Sequence, residues 1–257
     1  MNGPVALVTG ASSGIGAAFA RKLAGKGFDL ILIARRADRL RQLAGTLGTN
    51  AKTLSVDLTT EEGLSAAEDS IAGCPSLEML VNSAGFGTLG RFWQADIAGQ
   101  EAMHRLHVMA TVRLTHAALK AMTERGHGAV INVSSVAAFS QSEGNASYCA
   151  TKAWMNTFTE ALDMELRGAG SPVRVQALCP GFTVTEFHDT LGVDRSQIPA
   201  WLWMTPDQIV DASLSGLERN RVVVIPGWKY RVAMEAVKRL PYGIRRHLRR
   251  PGKDKRV

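Results

Sequence analysis

One short stretch near the start constrains the fold most. The apolar, β-branched run Val5–Thr9 passes directly into Gly10-Ala11-Ser12-Ser13-Gly14-Ile15-Gly16. A helical pattern, Ile15–Gly25, begins before that stretch ends. Glycines let the chain turn tightly and let another backbone or a ligand approach. The helix start supplies free N–H groups and the positive end of a dipole, a natural seat for a phosphate. Taken alone, such a turn is also an ordinary strand-to-helix link. In the first βα unit of an alternating chain it reads as a dinucleotide site.

The rest of the chain alternates in that way. Strands are expected at Val5–Thr9, Asp29–Ala34, Thr53–Val56, Met79–Asn82, Ala129–Ser134, Val173–Leu178 and Val222–Ile225. Most are continuous apolar runs, as in strands covered on both faces. Helices are expected at Ile15–Gly25, Asp38–Leu47, Glu61–Ile71, Ile97–Arg125, Tyr148–Arg167 and Pro206–Arg219. The expected fold class is α/β: a Rossmann-type, doubly wound parallel sheet of about seven strands with helices on both faces. Residues 1–227 would form the nucleotide-binding catalytic unit, including a loop at 182–205. Residues 228–257 would add a basic amphipathic helix and tail to that same domain.

Composition narrows the class further. With 46% apolar and 21% charged residues, the chain is neither disordered nor fibrous. The net charge of +7 is local: residues 219–257 carry 13 Lys and Arg against two acids, and residues 1–218 carry 17 against 21. The basicity therefore describes one end, and no base-reading motif argues for nucleic acid. Cys74, Cys149 and Cys179 are too few and too scattered for a disulfide framework or a metal cluster. The apolar start is too short for a signal peptide, and no run reaches transmembrane length. A reducing, cytoplasmic setting is the expectation.

The spacing Gly10-x3-Gly14-x-Gly16 resembles that of the single-domain short-chain dehydrogenase/reductase family. Four further motifs carry the resemblance. Asn82-Ser83-Ala84-Gly85 is similar to the family's Asn-Asn-Ala-Gly, with Ser83 a departure. Ser135 precedes Tyr148 by thirteen residues, and Tyr148-Cys149-Ala150-Thr151-Lys152 matches Tyr-x-x-x-Lys. Pro180-Gly181-Phe182-Thr183-Val184-Thr185 resembles Pro-Gly-x-x-x-Thr. The resemblance implies a nicotinamide cofactor lined by Gly10, Ser12, Ser13, Gly14, Ile15, Gly16, Asp57, Leu58, Asn82, Ala84 and Gly85. It extends that lining to Tyr148, Lys152, Pro180, Gly181, Thr183 and Thr185, with Lys152 on the ribose.

The end of the second strand bears on which nicotinamide is used. An acid there would bind the ribose 2′-hydroxyl of NAD. This chain has Ala34, followed by Arg35 and Arg36. Guanidinium groups suit a 2′-phosphate, so NADP(H) is expected, with Arg35 as the main contact and Arg36 beside it. The plainer alternative is a solvated turn. Ser13 stands where some NADP-using relatives carry a base.

Tyr148 and Lys152, four apart on a helix, share a face. A Lys charge about 5 Å from the phenol, at an effective dielectric of ~20, is worth roughly 3 kcal/mol, or ~2 pKa units. That would bring Tyr148 toward general acid/base work. Ser135 would hold the substrate oxygen. The family's tetrad also has an Asn on the long helix after the fourth strand, and here His107 stands in its place. Two readings stand for His107: a member of the proton relay to Lys152, or a buried residue that packs.

Phe182, Phe187, Trp201 and Trp203 lie in 182–205 and suggest a large apolar substrate wall, with simple packing as the alternative. After the last strand, Trp228, Val232, Ala233, Ala236, Val237 and Leu240 recur at helical spacing among basic residues. That helix could pack on the body or on another subunit, or meet an anionic membrane, an acyl carrier or a CoA phosphate. The expected activity is interconversion of a bulky carbonyl and a secondary alcohol; the family resemblance implies a dimer or tetramer. The rival is a catalytically silent nucleotide sensor or scaffold of the same fold.

Overall fold

The computed structural model describes residues 3–187, 191, 194–241 and 243–245. Seven parallel strands form one sheet: β1 Val5–Thr9, β2 Asp29–Ala34, β3 Ala51–Ser55, β4 Leu77–Asn82, β5 Ala129–Val133, β6 Arg174–Leu178 and β7 Val223–Val224. Their order is β3-β2-β1-β4-β5-β6-β7. The order reverses between β1 and β4, and the crevice beyond their carboxyl ends is where an open α/β sheet takes a ligand. This is the doubly wound architecture expected from the alternation.

Every residue of β1, β2 and β5 is buried, which is why these strands read as unbroken apolar runs. Helices α1 (Gly14–Gly25), α2 (Ala37–Thr46) and α7 (Pro206–Glu218) cover one face. Phe19, Leu23, Leu40, Ile209 and Leu214 pack there against Val8, Leu32 and Ile131. Helices α3 (Glu61–Ala72), α5 (Ala110–Arg125) and α6 (Ala146–Gly168) cover the other. Leu64, Ile71, Leu114, Met122 and Leu166 meet Leu7, Leu80 and Val130 there. Each fully buried side chain of this size contributes about 1.5–3 kcal/mol. The start of α7 is set by a capping box: Thr205 Oγ1 accepts from the Gln208 N–H, and the Gln208 side chain accepts from the Thr205 N–H at 2.9 Å.

The structure differs from the sequence expectation in several places. The third strand is Ala51–Ser55 rather than Thr53–Val56. It lies at the sheet edge with Lys52 and Thr53 exposed, so no apolar run marks its bounds. The helix expected over Ile97–Arg125 is interrupted. It divides into α4 (Ile97–His104), a π-helical turn at Arg105–Met109, and α5. The last helix, α8 (Trp228–Arg239), buries Tyr230 and Met234 and exposes Trp228 and Val232, the reverse of the expected stripe. The reason is polar: the Tyr230 hydroxyl accepts from the Phe182 N–H at 2.9 Å and donates to the Leu202 carbonyl at 2.8 Å, which no aliphatic could do. The basic stretch 246–257 lies outside the described residues, as does the tail reading that rests on it. Cys74, Cys149 and Cys179 are buried free thiols.

Candidate active site

A cavity of about 670 Å³ opens beyond the carboxyl ends of β1 and β4. Its floor is the glycine turn. Gly10 has φ +67°, a conformation that a side chain disfavours. A Cβ on Gly16 would sit 2.4 Å from the Gly10 carbonyl oxygen, so helix α1 can approach the turn only with glycine there. Helix α1 also starts without a side-chain cap. The Ser13 hydroxyl accepts instead from Arg36, and the first-turn residues Gly14, Ile15 and Gly16 line the cavity. An uncapped helix start on a cavity wall is a fit for a pyrophosphate.

Of the residues expected to line a nicotinamide cofactor, most share this wall. Gly10, Ser12, Ser13, Arg35, Arg36, Asp57 and Leu58 line it. Ala84, Gly85, Tyr148, Lys152, Pro180, Gly181, Thr183 and Thr185 continue along it. The Asn82 side chain departs: it is buried behind the wall, where its amide donates to Thr115 and Asn132. Trp201 and Trp203 depart as well. Trp201 is 61% exposed on the outer surface, beside Lys229. Trp203 packs behind Phe182, ring centroids 5.5 Å apart, and only Phe182 reaches the cavity.

The candidate reacting groups sit where α6 meets the ends of β4 and β5. Ser135 caps a short 3₁₀ turn, its Oγ accepting from the Ala137 N–H at 3.1 Å. The Ser135 hydroxyl also favours the ionised form of the neighbouring Tyr148 phenol. The Lys152 Nζ donates to the Val133 carbonyl at 2.9 Å and lies 5.8 Å from the Tyr148 ring centroid. The expected lowering of the Tyr148 pKa is not found. Burial pushes the phenol up to about 12, more than Ser135 offsets. Burial likewise pulls Lys152 down to about 8. Lys152 is buried outright, and Tyr148 is half-buried at the cavity wall, so loss of water is the leading cause for each.

The π-helical turn brings His107 into this cluster, fully buried. Its ring packs edge-on against Tyr148, centroids 5.8 Å apart. Its Nδ1 is 3.0 Å from Thr151 Oγ1, whose hydroxyl donates to the Tyr148 carbonyl. The assignment that satisfies both contacts puts the imidazole proton on Nδ1. Nε2 then points a bare lone pair into the site and has no protein partner. A Cβ on Gly85 would lie 2.9 Å from that Nε2 and 3.8 Å from Lys152 Nζ, so one small space separates the two nitrogens. Burial first, then the Lys152 charge, holds the His107 pKa well below its ordinary value and keeps the ring neutral.

Several wall residues carry no motif and were not singled out from the sequence. Phe86, Leu89, Tyr230 and Met234 line the cavity, as do Phe187 and Leu191 of the loop expected to wall the substrate. Tyr230 lies on Gly181, where a Cβ would sit 2.1 Å from Tyr230 Cζ. Its spacing with Met234, four apart on a helix, was the available signal. Among the described residues, no group of three or more His, Cys, Asp or Glu could hold a metal ion. No described helix is long and apolar enough to cross a membrane.

Fold and site together define a Rossmann-type oxidoreductase acting on an alcohol or carbonyl group. The short chain dehydrogenase family model matches residues 4–196, and the chain belongs to that family. A short-chain dehydrogenase from Sphingobium yanoikuyae, solved in complex with NADPH, is 35% identical with a TM-score of 0.84, covering 95% of this chain and 94% of its own. The bulky-bulky ketone specific alcohol dehydrogenase from Comamonas testosteroni is 28% identical with a TM-score of 0.77, covering 94% and 96%. Galactitol 2-dehydrogenase (L-tagatose-forming) of Cereibacter sphaeroides is 34% identical over 209 residues, 80% of this chain and 82% of that protein.

Proposed function

We propose that this protein interconverts a bulky, apolar ketone and its secondary alcohol with NADP(H). The observation that carries the reading is the meeting of Tyr148, Ser135 and Lys152 in the same cavity as the uncapped glycine turn. When bound, the nicotinamide supplies or takes the hydride. The chain's own groups handle the oxygen and its proton. Ser135 and Tyr148 present two donors to one substrate oxygen, the arrangement that stabilises a developing alkoxide. Tyr148 gives up its proton, and the Lys152 ammonium lowers the cost of the phenolate that remains. His107 Nε2, a bare acceptor across the small space from Lys152, would hold by its lone pair a water whose other proton can pass to Lys152 as the Tyr148 proton is restored.

Support for NADP(H) is chemical. Ala34 stands where an acid would select NAD, and Arg35 and Arg36 flank the adjoining wall. Arg35 is 71% exposed and has a distant contact with Asp57 at 3.7 Å, so its guanidinium is accessible to a phosphate. The NADPH complex of the Sphingobium relative agrees with this reading. Support for a bulky substrate is the wall of Phe86, Leu89, Phe182, Phe187 and Met234. The relatives' own substrates, a sugar alcohol and bulky ketones, do not decide it.

NADPH oxidation against a panel from small ketones and sugars to steroids and oxoacyl thioesters tests the reading, with Tyr148→Phe as control. Turnover of bulky ketones with NADPH is expected; turnover confined to small polar carbonyls, or to NADH, overturns it. The protein acts in this reading as a cytoplasmic dimer or tetramer. Exposed Trp201 and Trp228 flanking Lys229 support an anionic contact, a membrane surface or an acyl carrier, at the C-terminal end. Sedimentation with anionic liposomes, full chain against one ending at Leu240 and against Trp228→Ala/Lys229→Ala, tests the membrane arm. Equal sedimentation removes it.

A further inference from the structure

Resting on that reading, we infer that Glu186 is a positioning residue: with Arg36 and Arg39 it forms a clasp that fixes the substrate wall against the nucleotide turn. Arg36 makes four side-chain hydrogen bonds. Its Nε and Nη2 donate to Ser12 Oγ at 3.2 and 3.1 Å, Nη2 donates to Ser13 Oγ at 2.8 Å, and Nη1 donates to Glu186 at 2.8 Å. The other Glu186 oxygen accepts from Arg39 on α2. Both arginines hold the carboxyl below its usual range, so it stays ionised.

The neighbours of Glu186 in the chain show what the clasp positions. Thr185 packs on the glycine turn, where a Cβ on Gly14 would lie 3.0 Å from its Cγ2. Phe187 packs on the Tyr148 ring, centroids 5.8 Å apart, and against Gly87. One carboxylate therefore sits between a residue that touches the phosphate-binding turn and one that walls the reacting phenol. The two arginines divide the work. Arg36 spends its donors on Ser12, Ser13 and Glu186, and Arg35 is left to face a 2′-phosphate. Releasing Glu186 frees Phe187 from Tyr148 and loosens the apolar wall without touching the reacting atoms.

The test compares wild type, Glu186→Gln, Arg39→Gln and the double variant, all as full chains. Hydrogen–deuterium exchange of residues 182–187 reads the clasp itself. Steady-state kinetics with a bulky ketone read its effect. Faster exchange is expected in each variant, with the ketone KM raised about three- to fivefold, the scale of a half-exposed ion pair. The kcat should change less than about twofold. The double variant should be no worse than Glu186→Gln alone, because Arg39→Gln removes a bond that the Glu186 substitution already breaks. The ratio of NADPH to NADH affinity should not move in Glu186→Gln. Unchanged exchange, an unchanged KM, additive losses or a shifted affinity ratio would each overturn the inference. If no carbonyl is turned over by wild type, the proposed function fails, and the exchange data still decide the clasp.

Discussion

His107 Nδ1 and Thr151 Oγ1 meet at 3.0 Å between the π-helical turn and α6, and this contact orients the imidazole. Because the Thr151 hydroxyl is spent on the Tyr148 carbonyl, Nε2 is the acceptor that faces Lys152. His107→Ala is expected to lower kcat by about tenfold or more, the low end for a lost proton-transfer partner. It should also change the pH profile. An unchanged kcat and profile would assign His107 to packing alone.

The pH dependence follows from Lys152. With its pKa near 8, the ammonium is present below that pH and lost above it. The kcat/KM for reduction should be flat below about pH 8 and fall above it. Tyr148, near 12, keeps its proton throughout, and neutral His107 adds no limb near pH 6.5. Lys152→Arg should remove the limb at pH 8 from whatever activity it retains. A limb that survives in that variant belongs to another group.

Burial of Lys152 also predicts a stability effect with a definite sign. Its pKa is lower folded than unfolded, so from about pH 8 to 10.5 the unfolded chain binds the extra proton. Stability from this group therefore rises with pH across that window, and its cost is greatest at pH 7 and below. Lys152→Met should stabilise the fold by about 1–3 kcal/mol at pH 7, and less by pH 10. Urea unfolding at the two pH values checks this. A destabilised variant at pH 7 would show that the bond to Val133 outweighs desolvation.

Tyr148→Phe removes the hydroxyl proposed to donate the proton and keeps the ring against Phe187 and His107. The kcat should drop about 10²- to 10⁴-fold, with cofactor affinity little changed. Fluorescence titration with NADPH separates the two quantities. A variant that keeps its kcat would move the acid role elsewhere.

Arg35→Ala should weaken NADPH by roughly tenfold, the scale of one charge-assisted contact, and leave NADH unaltered. Titration calorimetry with both cofactors gives the ratio. Parallel losses would mean that Arg35 acts on the fold of the turn and not on a 2′-phosphate.

Tyr230→Phe leaves the Phe182 N–H and the Leu202 carbonyl without their partner. It should cost about 1–3 kcal/mol of stability and raise the substrate KM, since Phe182 is part of the wall. Thermal unfolding and kinetics check the pair of effects. Unaltered stability would make α8 a passive cover.

The sequence by itself determined the doubly wound sheet, because buried parallel strands must be apolar on both faces and βα turns must carry their own chemistry. It also marked Gly10, Gly14, Gly16, Ser135, Tyr148 and Lys152 as candidates, since each belongs to a short motif whose spacing survives in one dimension. The tertiary structure decided what no local pattern encodes. Asn82 turned inward to Thr115 and Asn132, and Trp201 and Trp203 fell behind or outside the wall. Tyr230 and Glu186 entered the site from segments 48 and 150 residues away from their partners Phe182 and Arg36. The balance of burial and charge at Tyr148 was likewise set only in the fold, because desolvation depends on every atom packed around a group. A motif records which atoms can react; the folded surroundings fix their proton affinities, their orientation and the wall that faces them.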